Sequence, residues 1–153
     1  MGVHVLRFVQ QMPVSIQEAW AFFSNPSNLQ QITPPYMKMR VISTHHGATM
    51  YTGQIIEYRV RPLWNIPWYW MTEITHVREG VYFVDEQRYG PYSFWHHQHH
   101  FRPVAGGVEM TDIVHYKLPL GFLGDVVNGW WVLRQLEGIF EYRREKVGSL
   151  FGC

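Results

Sequence analysis

The chain has 153 residues, a formal net charge of +1, and 16% charged side chains against 16% aromatic ones. Soluble domains average about 25% charge, and disordered chains are richer in charge and poor in aromatics, so disorder is excluded. A near-zero net charge, with no basic run longer than two residues, excludes a nucleic-acid binder held by phosphate contacts. The single cysteine, Cys153, is the last residue, so neither an internal disulfide nor a thiolate zinc site can form within one chain. There is no run of about 18 uncharged apolar residues. The first ten residues lack the basic start and apolar block of a signal peptide. The expectation is one domain over residues 1–153, cytoplasmic, monomeric or weakly dimeric, with no nucleic-acid partner and no integral membrane association.

In chain order, residues 3–10 read as a strand that Pro13 ends. Ser15 and Glu18 have capping-box spacing, and Ile16, Ala19, Trp20, Phe22 and Phe23 continue close to helical spacing until Asn25-Pro26. Residues 27–32 suit a second short helix before Pro34-Pro35. The period then changes to two. Residues 37–43, 53–60, 69–78, 81–89, 94–104 and 108–118 read as strands, separated by turn residues at Gly47, Pro62 with Pro67, Glu79-Gly80, Gly90-Pro91 and Gly106-Gly107. Several gaps are too short for a crossover, so the strands from residue 69 onward must be antiparallel neighbours. Residues 121–151 form a long helix candidate with Leu133, Leu136, Phe140, Val147 and Leu150 on one stripe. The order is α+β, with helices covering one face of an antiparallel sheet.

Short turns fix a register, and the register assigns faces. Placing Gly106-Gly107 in a two-residue turn sets Ala105 opposite Val108. Three-residue turns at 79–81 and 90–92 set Glu73 opposite Gln87 and Asp85 opposite His97. One face then carries Met71, Val77, Phe83, Tyr89, Trp95, Phe101, Met110, Val114, Tyr116 and Leu118. The other carries Thr72, His76, Glu86, Arg88, His96, Gln98, His100, Arg102, Thr111, His115 and Lys117. The apolar face also holds Glu73, Asp85, Gln87, His97, His99 and Asp112. Six polar groups on a core face must pair with one another, line a wet cavity or bind something. His97 beside Asp85 and His99 diagonal to Asp112 make reasonable pairs.

The stretch DEQRYGPYSFWHHQHHF (85–101), followed by GGVEMTDIVHYKLPLGFLG (106–124), resembles an uncharacterised subfamily of the SRPBCC (START-like, polyketide-cyclase-like) superfamily. YRVRPLWNIPWYWMTEIT (58–75) and SIQEAWAFFSNPSNLQQITPP (15–35) extend the resemblance over nearly the whole chain. It implies a helix-grip fold, in which a seven-stranded antiparallel sheet curls around a long C-terminal helix and leaves a deep cavity. It also implies a lipid-, polyketide- or isoprenoid-like guest.

Trp95, Tyr89, Phe101 and Tyr116 are the expected cavity walls, and Glu73, Asp85, Gln87, His97, His99 and Asp112 the expected polar end. Trp64 and Trp68, near Pro62 and Pro67, are lid candidates. Trp70 and Trp130 are expected in the core. Asp112, His99 and Glu73 are the candidates for acid–base catalysis, since burial and like charge raise a carboxylate's pKa. No nucleophile motif accompanies them. His97 and His99, with Asp85, Glu73 or Asp112 supplying the carboxylate, form a candidate two-histidine-one-carboxylate set. The reading of these groups as mutually paired polar residues outweighs it, and no cofactor is expected.

Overall fold

Buried and exposed side chains alternate along β1 (His4–Met12) in the computed structural model, which describes residues 2–43 and 49–153. Pro13 follows the strand, and α1 (Ile16–Phe23) begins at the expected capping box. Glu18 N–H donates to Ser15 Oγ, and Ser15 N–H donates to the Glu18 carboxylate. Such a cap contributes about 1 kcal/mol. Asn25 caps the 3-10 turn Pro26–Ile32 through its side-chain oxygen.

The predicted strand over 37–43 shrinks to β2 (Arg40–Val41), because a second 3-10 turn occupies Pro35–Met37 and Lys38 is left-handed at φ 44°. The Gly47 turn lies outside the described residues. Five long strands follow: β3 (Ile55–Leu63), β4 (Ile66–Arg78), β5 (Tyr82–Tyr89), β6 (Phe94–Val104) and β7 (Gly107–Lys117). All neighbours are antiparallel, and the sheet runs β1-β7-β6-β5-β4-β3-β2.

The proline-flanked segment at 62–67 is not a loop. Leu63 pairs with Ile66, leaving a two-residue turn of Trp64 and Asn65 with φ of 46° and 56°. Two successive positive φ values suit the right-handed twist of a tight hairpin.

Two further departures fix the faces of the sheet. Val104 pairs with Gly107, so the β6–β7 turn is Ala105-Gly106, and the register moves by two residues. Gly107 belongs to the strand, and a Cβ there would collide with the Met12 carbonyl of β1. A shift of two preserves every face.

On β4, Ile74 pairs with Asp85 but His76 pairs with Val84, so Thr75 is an extra, bulged residue. A second bulge leaves Arg88 extra on β5, between the Met71–Tyr89 and Thr72–Gln87 pairs. Between the bulges, Thr72 and Ile74 turn inward and are buried, while Met71 and Glu73 turn outward.

The helical cover is broken. α2 (Phe122–Val127) leads through a π-helical turn (Asn128–Val132) into α3 (Leu133–Phe151). α3 buries Leu136, Phe140 and Val147. Phe8 stacks on Phe140 at 4.3 Å between ring centres. Trp20 and Phe23 of α1 pack against Phe101, and Trp20 also meets Phe83. The two apolar clusters, one under α1 and one under α3, flank the cavity described next. Among the described residues, no helix is long and apolar enough to cross a membrane.

Candidate functional site

Between α3 and the concave face of the sheet lies a cavity of about 160 Å³. Its walls are mainly apolar and aromatic: Phe23, Met37, Val60, Trp70, Tyr92, Trp95, Leu136 and Phe140. Trp70 meets Trp95 edge to face at 5.3 Å, and its Nε1–H donates to Thr72 Oγ1 at 3.0 Å. Asp85, His97, His99 and Arg143 form its charged end, with the buried Tyr58 nearby.

Strand pairing assembles this end. Asp85 of β5 sits opposite His97 of β6, and His99 of β6 sits opposite Asp112 of β7. The shortest hydrogen bonds run along the diagonals instead. His97 Nε2 bonds Asp112 Oδ1 at 2.8 Å, and His99 Nε2 bonds Asp85 Oδ2 at 2.7 Å. The direct pairs are longer, 3.6 Å for His97 Nδ1 to Asp85 and 3.1 Å for His99 Nδ1 to Asp112. The two imidazoles lie 3.8 Å apart between centres. Arg143 reaches in from α3, its Nη1 3.7 Å from Asp112 and its Cζ 4.9 Å above the Phe140 ring. Arg143 Nε is buried without a hydrogen-bond partner among the described residues.

The electrostatics follow from burial set against these contacts. Burial alone would raise both carboxyls. The imidazole hydrogen bonds outweigh it at Asp112, and the charges and bonds of His97, His99 and Arg143 outweigh it at Asp85, so both are held below the usual range. At His97, burial and the neighbouring His99 win, and its pKa is lowered. At His99, burial opposes the proton but Asp112 and Asp85 together hold it, and its pKa is raised. Burial, then the Asp85 charge, pushes the Tyr58 phenol far up, so it stays a neutral donor.

Of the residues expected at the site, Asp85, Trp95, His97 and His99 line the cavity. Asp112 stands behind the imidazoles and holds them without lining it. Glu73 is corrected: the Thr75 bulge turns it to the outer face, where Arg88 bonds it at 3.0 Å. It is therefore removed from the catalytic candidates. Tyr89 is corrected by the second bulge, and is 64% exposed against Tyr69. Gln87 folds over Gly90 and bonds the backbone N–H and C=O of Tyr92, so it builds the β5–β6 turn. Phe101 is buried in the cluster under α1, and Tyr116 in the one under α3, where it bonds Asn128. Trp64 and Trp68 are exposed at the hairpin tip and do not line the cavity. Trp70 is a wall residue, and Trp130 lies outside the core, 83% exposed.

Arg143, Thr72, Tyr58 and Tyr92 were not anticipated. Arg143 had a signal: it falls seven residues after Leu136, on the buried stripe of α3, where a charge needs a partner.

Asp85, His97 and His99 each offer a ligand atom, all within 4.8 Å of one another. A cation there would have to displace the proton shared by His99 and Asp85, close to the Arg143 guanidinium. The donor set suits a divalent ion, and its existing hydrogen bonds and the nearby positive charge oppose one.

The crystal structure of ginseng major latex-like protein 151 from Panax ginseng superposes with a TM-score of 0.71 at 11% identity, covering 99% of both chains. An uncharacterised protein from Rhizobium leguminosarum gives 0.70 at 12% identity, over 96% of this chain and 95% of that one. Protein Ms6760 from Mycobacterium smegmatis gives 0.66 at 14% identity, over 98% of each. At such identities the likeness shows the helix-grip fold alone. No curated protein matches the sequence. The family model for polyketide cyclase / dehydrase and lipid transport matches residues 12–144, spanning β2 to β7 and most of α3. The chain therefore belongs to the polyketide cyclase / dehydrase and lipid transport family of the SRPBCC superfamily.

Proposed function

We propose that the chain is a single ligand-binding domain whose cavity holds a small, largely hydrophobic, uncharged molecule with a hydroxyl or carbonyl at one end. The observation that carries this reading is an aromatic cavity with a charged end whose charges cancel. Asp85 and Asp112, both held below the usual carboxylate range, are set against the Arg143 guanidinium and against His99, whose pKa is raised, while that of His97 is lowered. A charged guest would upset that balance in a low-dielectric site. A hydroxyl or carbonyl oxygen can instead accept from the unpartnered Nε–H of Arg143. A dry cavity of about 150 Å³ admits a single aromatic ring, so this one takes a guest of at least that size. Burial supplies about 25 cal/mol per Å² of apolar surface, less the cost of association. A lipid-, polyketide- or isoprenoid-like molecule fits these terms and the family's description.

Three probes of one size test it: naphthalene, 2-naphthol and 2-naphthoate, added to the full chain in thermal melts. The expected order of stabilisation is 2-naphthol first, then naphthalene, then 2-naphthoate. Trp95→Ala should abolish the effect, and Arg143→Met should erase the advantage of 2-naphthol. A larger shift with naphthoate, or none with any probe, would remove this reading. Native mass spectrometry of the purified chain against its denatured mass checks for a carried organic adduct.

One observation favours a second reading, an enzyme of the cyclase, dehydratase or hydrolase kind. Asp112 does not reach the cavity, yet it orients His97, which does, while burial and the neighbouring His99 lower the His97 pKa. A buried carboxylate orienting a neutral imidazole is the arrangement of a general base. Asp112→Asn would then abolish turnover while 2-naphthol still binds.

A further inference from the structure

The segment between β7 and α3 has its faces reversed. A surface helix ordinarily turns large apolar side chains inward and polar ones outward. Here the buried positions are Gly124, Asn128 and Val132. Phe122, Leu123, Val126, Val127 and Trp130 face solvent, Phe122 at 69% and Trp130 at 83% exposure. Packing enforces the reversal. A Cβ on Gly124 would collide with the Pro119 carbonyl, and Asn128 is held from beneath by the Tyr116 hydroxyl. The one acidic side chain in this stretch, Asp125, faces His4 at 3.3 Å.

The β3–β4 hairpin brings a second apolar piece to the same end. Its tip, Trp64, is 83% exposed, and Ile66 and Trp68 beside it are exposed too. The Pro62 carbonyl accepts from Gln135 Nε2 at 2.5 Å, which seats the tip about one helical turn from Trp131. Pro62 and Gln135 also line the cavity, so this apolar end adjoins it. Trp64 and Leu120 both have positive φ, 46° and 70°. Exposed large side chains held in the left-handed region cost stability and are retained where function over-determines them.

Charge selects the occupant. Residues 34–40, 59–68 and 120–135, which build this end, carry Lys38, Arg40, Arg59, Arg61 and Arg134 against Asp125 alone. The rest of the chain is therefore net acidic. Glu57 and Glu137 border the region, and Glu57 accepts from the Tyr69 hydroxyl. Arg40 lies directly opposite Arg59 across the β2–β3 pair, a like-charge juxtaposition that an anion would relieve. A second copy would set this cationic rim against itself. Tryptophans beside arginines suit the headgroup boundary of a membrane.

We propose that this end of the molecule docks on an anionic lipid bilayer, with Trp64, Phe122, Leu123 and Trp130 entering the headgroup boundary and Arg59, Arg61 and Arg134 meeting lipid phosphates. The docking surface does not depend on what the cavity holds.

The test is flotation of the full chain with vesicles of phosphatidylcholine, with and without phosphatidylserine, at physiological salt. The chain should float with phosphatidylserine vesicles, and high salt should release it. Trp64→Gly combined with Trp130→Ser should weaken partitioning by about tenfold or more without lowering Tm. Arg59→Gln with Arg61→Gln should remove the preference for phosphatidylserine. Failure to float with either vesicle overturns the proposal, as does undiminished flotation of the tryptophan variant. So does a dimer in sedimentation equilibrium that the tryptophan variant dissolves, since the face would then be a self-association surface. None of these outcomes alters the melts with naphthalene derivatives, so the two readings fail separately.

Discussion

The Tyr116 hydroxyl donates to Asn128 Oδ1 at 2.6 Å, joining the buried face of β7 to the π-helical turn ahead of α3. Both residues are buried, Tyr116 completely. The bond fixes which side of the turn faces the sheet, and so leaves Trp130 on the outside. Tyr116→Phe should cost about 2 kcal/mol, because the Asn128 amide oxygen is left buried without its donor. The double variant Tyr116→Phe with Asn128→Leu should recover most of that loss, since neither group is then orphaned. Urea unfolding of the parent and the two variants checks it, and a Tyr116→Phe variant as stable as the parent would show that water serves Asn128 equally well.

Asp112 is the common partner of both cavity histidines. Asp112→Asn leaves His99 with Asp85 alone and takes the anion from beside Arg143. Breaking a buried charged set by removing one member costs about 3 kcal/mol or more. The His99 pKa should fall at the same time, because one of the two carboxylates that hold its proton is gone. Denaturant titration and the NMR titration of the imidazole give the two readouts. A stable variant with an unshifted His99 would mean that Asp85 alone sets the site.

The same network dictates a pH profile. The His99 pKa is raised, so the stability from its proton is complete below about pH 6.5 and is lost as pH rises through the raised value. Asp85 and Asp112 are lowered, so their contribution is complete above about pH 4 and is lost as pH falls through the depressed values. His97 is lowered and acts in the opposite sense to His99. The unfolded chain takes up its proton first as pH falls below about 6.5, which erodes stability there. The stability difference between the parent and His99→Gln should therefore be largest in mild acid and shrink as pH rises. Urea unfolding from pH 4 to 9 measures it. A difference that stays constant across that range would mean that His99 is not protonated in the folded state.

Local sequence chemistry carried the order of elements. The Ser15–Glu18 box, the proline stops and the short antiparallel gaps each act over a few residues, and each is present in the structure. The faces of β5 to β7 were legible for His97, His99 and Asp112, because the error at Gly106-Gly107 was two residues and parity survived. Glu73 and Tyr89 were lost to single-residue bulges, which reverse parity. The bulge at Thr75 had left a trace: Ile74 and Val77 are both apolar and three apart, and no regular strand places both on one face. The exposed Trp130 was unreadable from periodicity, since Phe122, Leu123, Val126, Val127, Trp130 and Trp131 share one helical face that periodicity alone would turn inward. Its orientation depends on Gly124 and Asn128 fitting under β7, a tertiary fact.

Trp64 sets stability against surface chemistry at one position. It occupies the first place of a two-residue hairpin turn at φ 46°, where glycine or asparagine meets little strain and a bulky side chain meets more. Its indole is almost wholly in solvent, so it gains little from packing. Trp64→Gly should therefore stabilise the isolated chain by about 1 kcal/mol, as the left-handed conformation becomes free of strain. Trp64→Ala should not, because alanine keeps the Cβ that opposes positive φ. Paired thermal melts of the two variants separate these effects. If both variants raise Tm equally, the gain comes from removing exposed apolar surface. If neither does, the backbone at this turn is relaxed and the tryptophan costs the fold nothing.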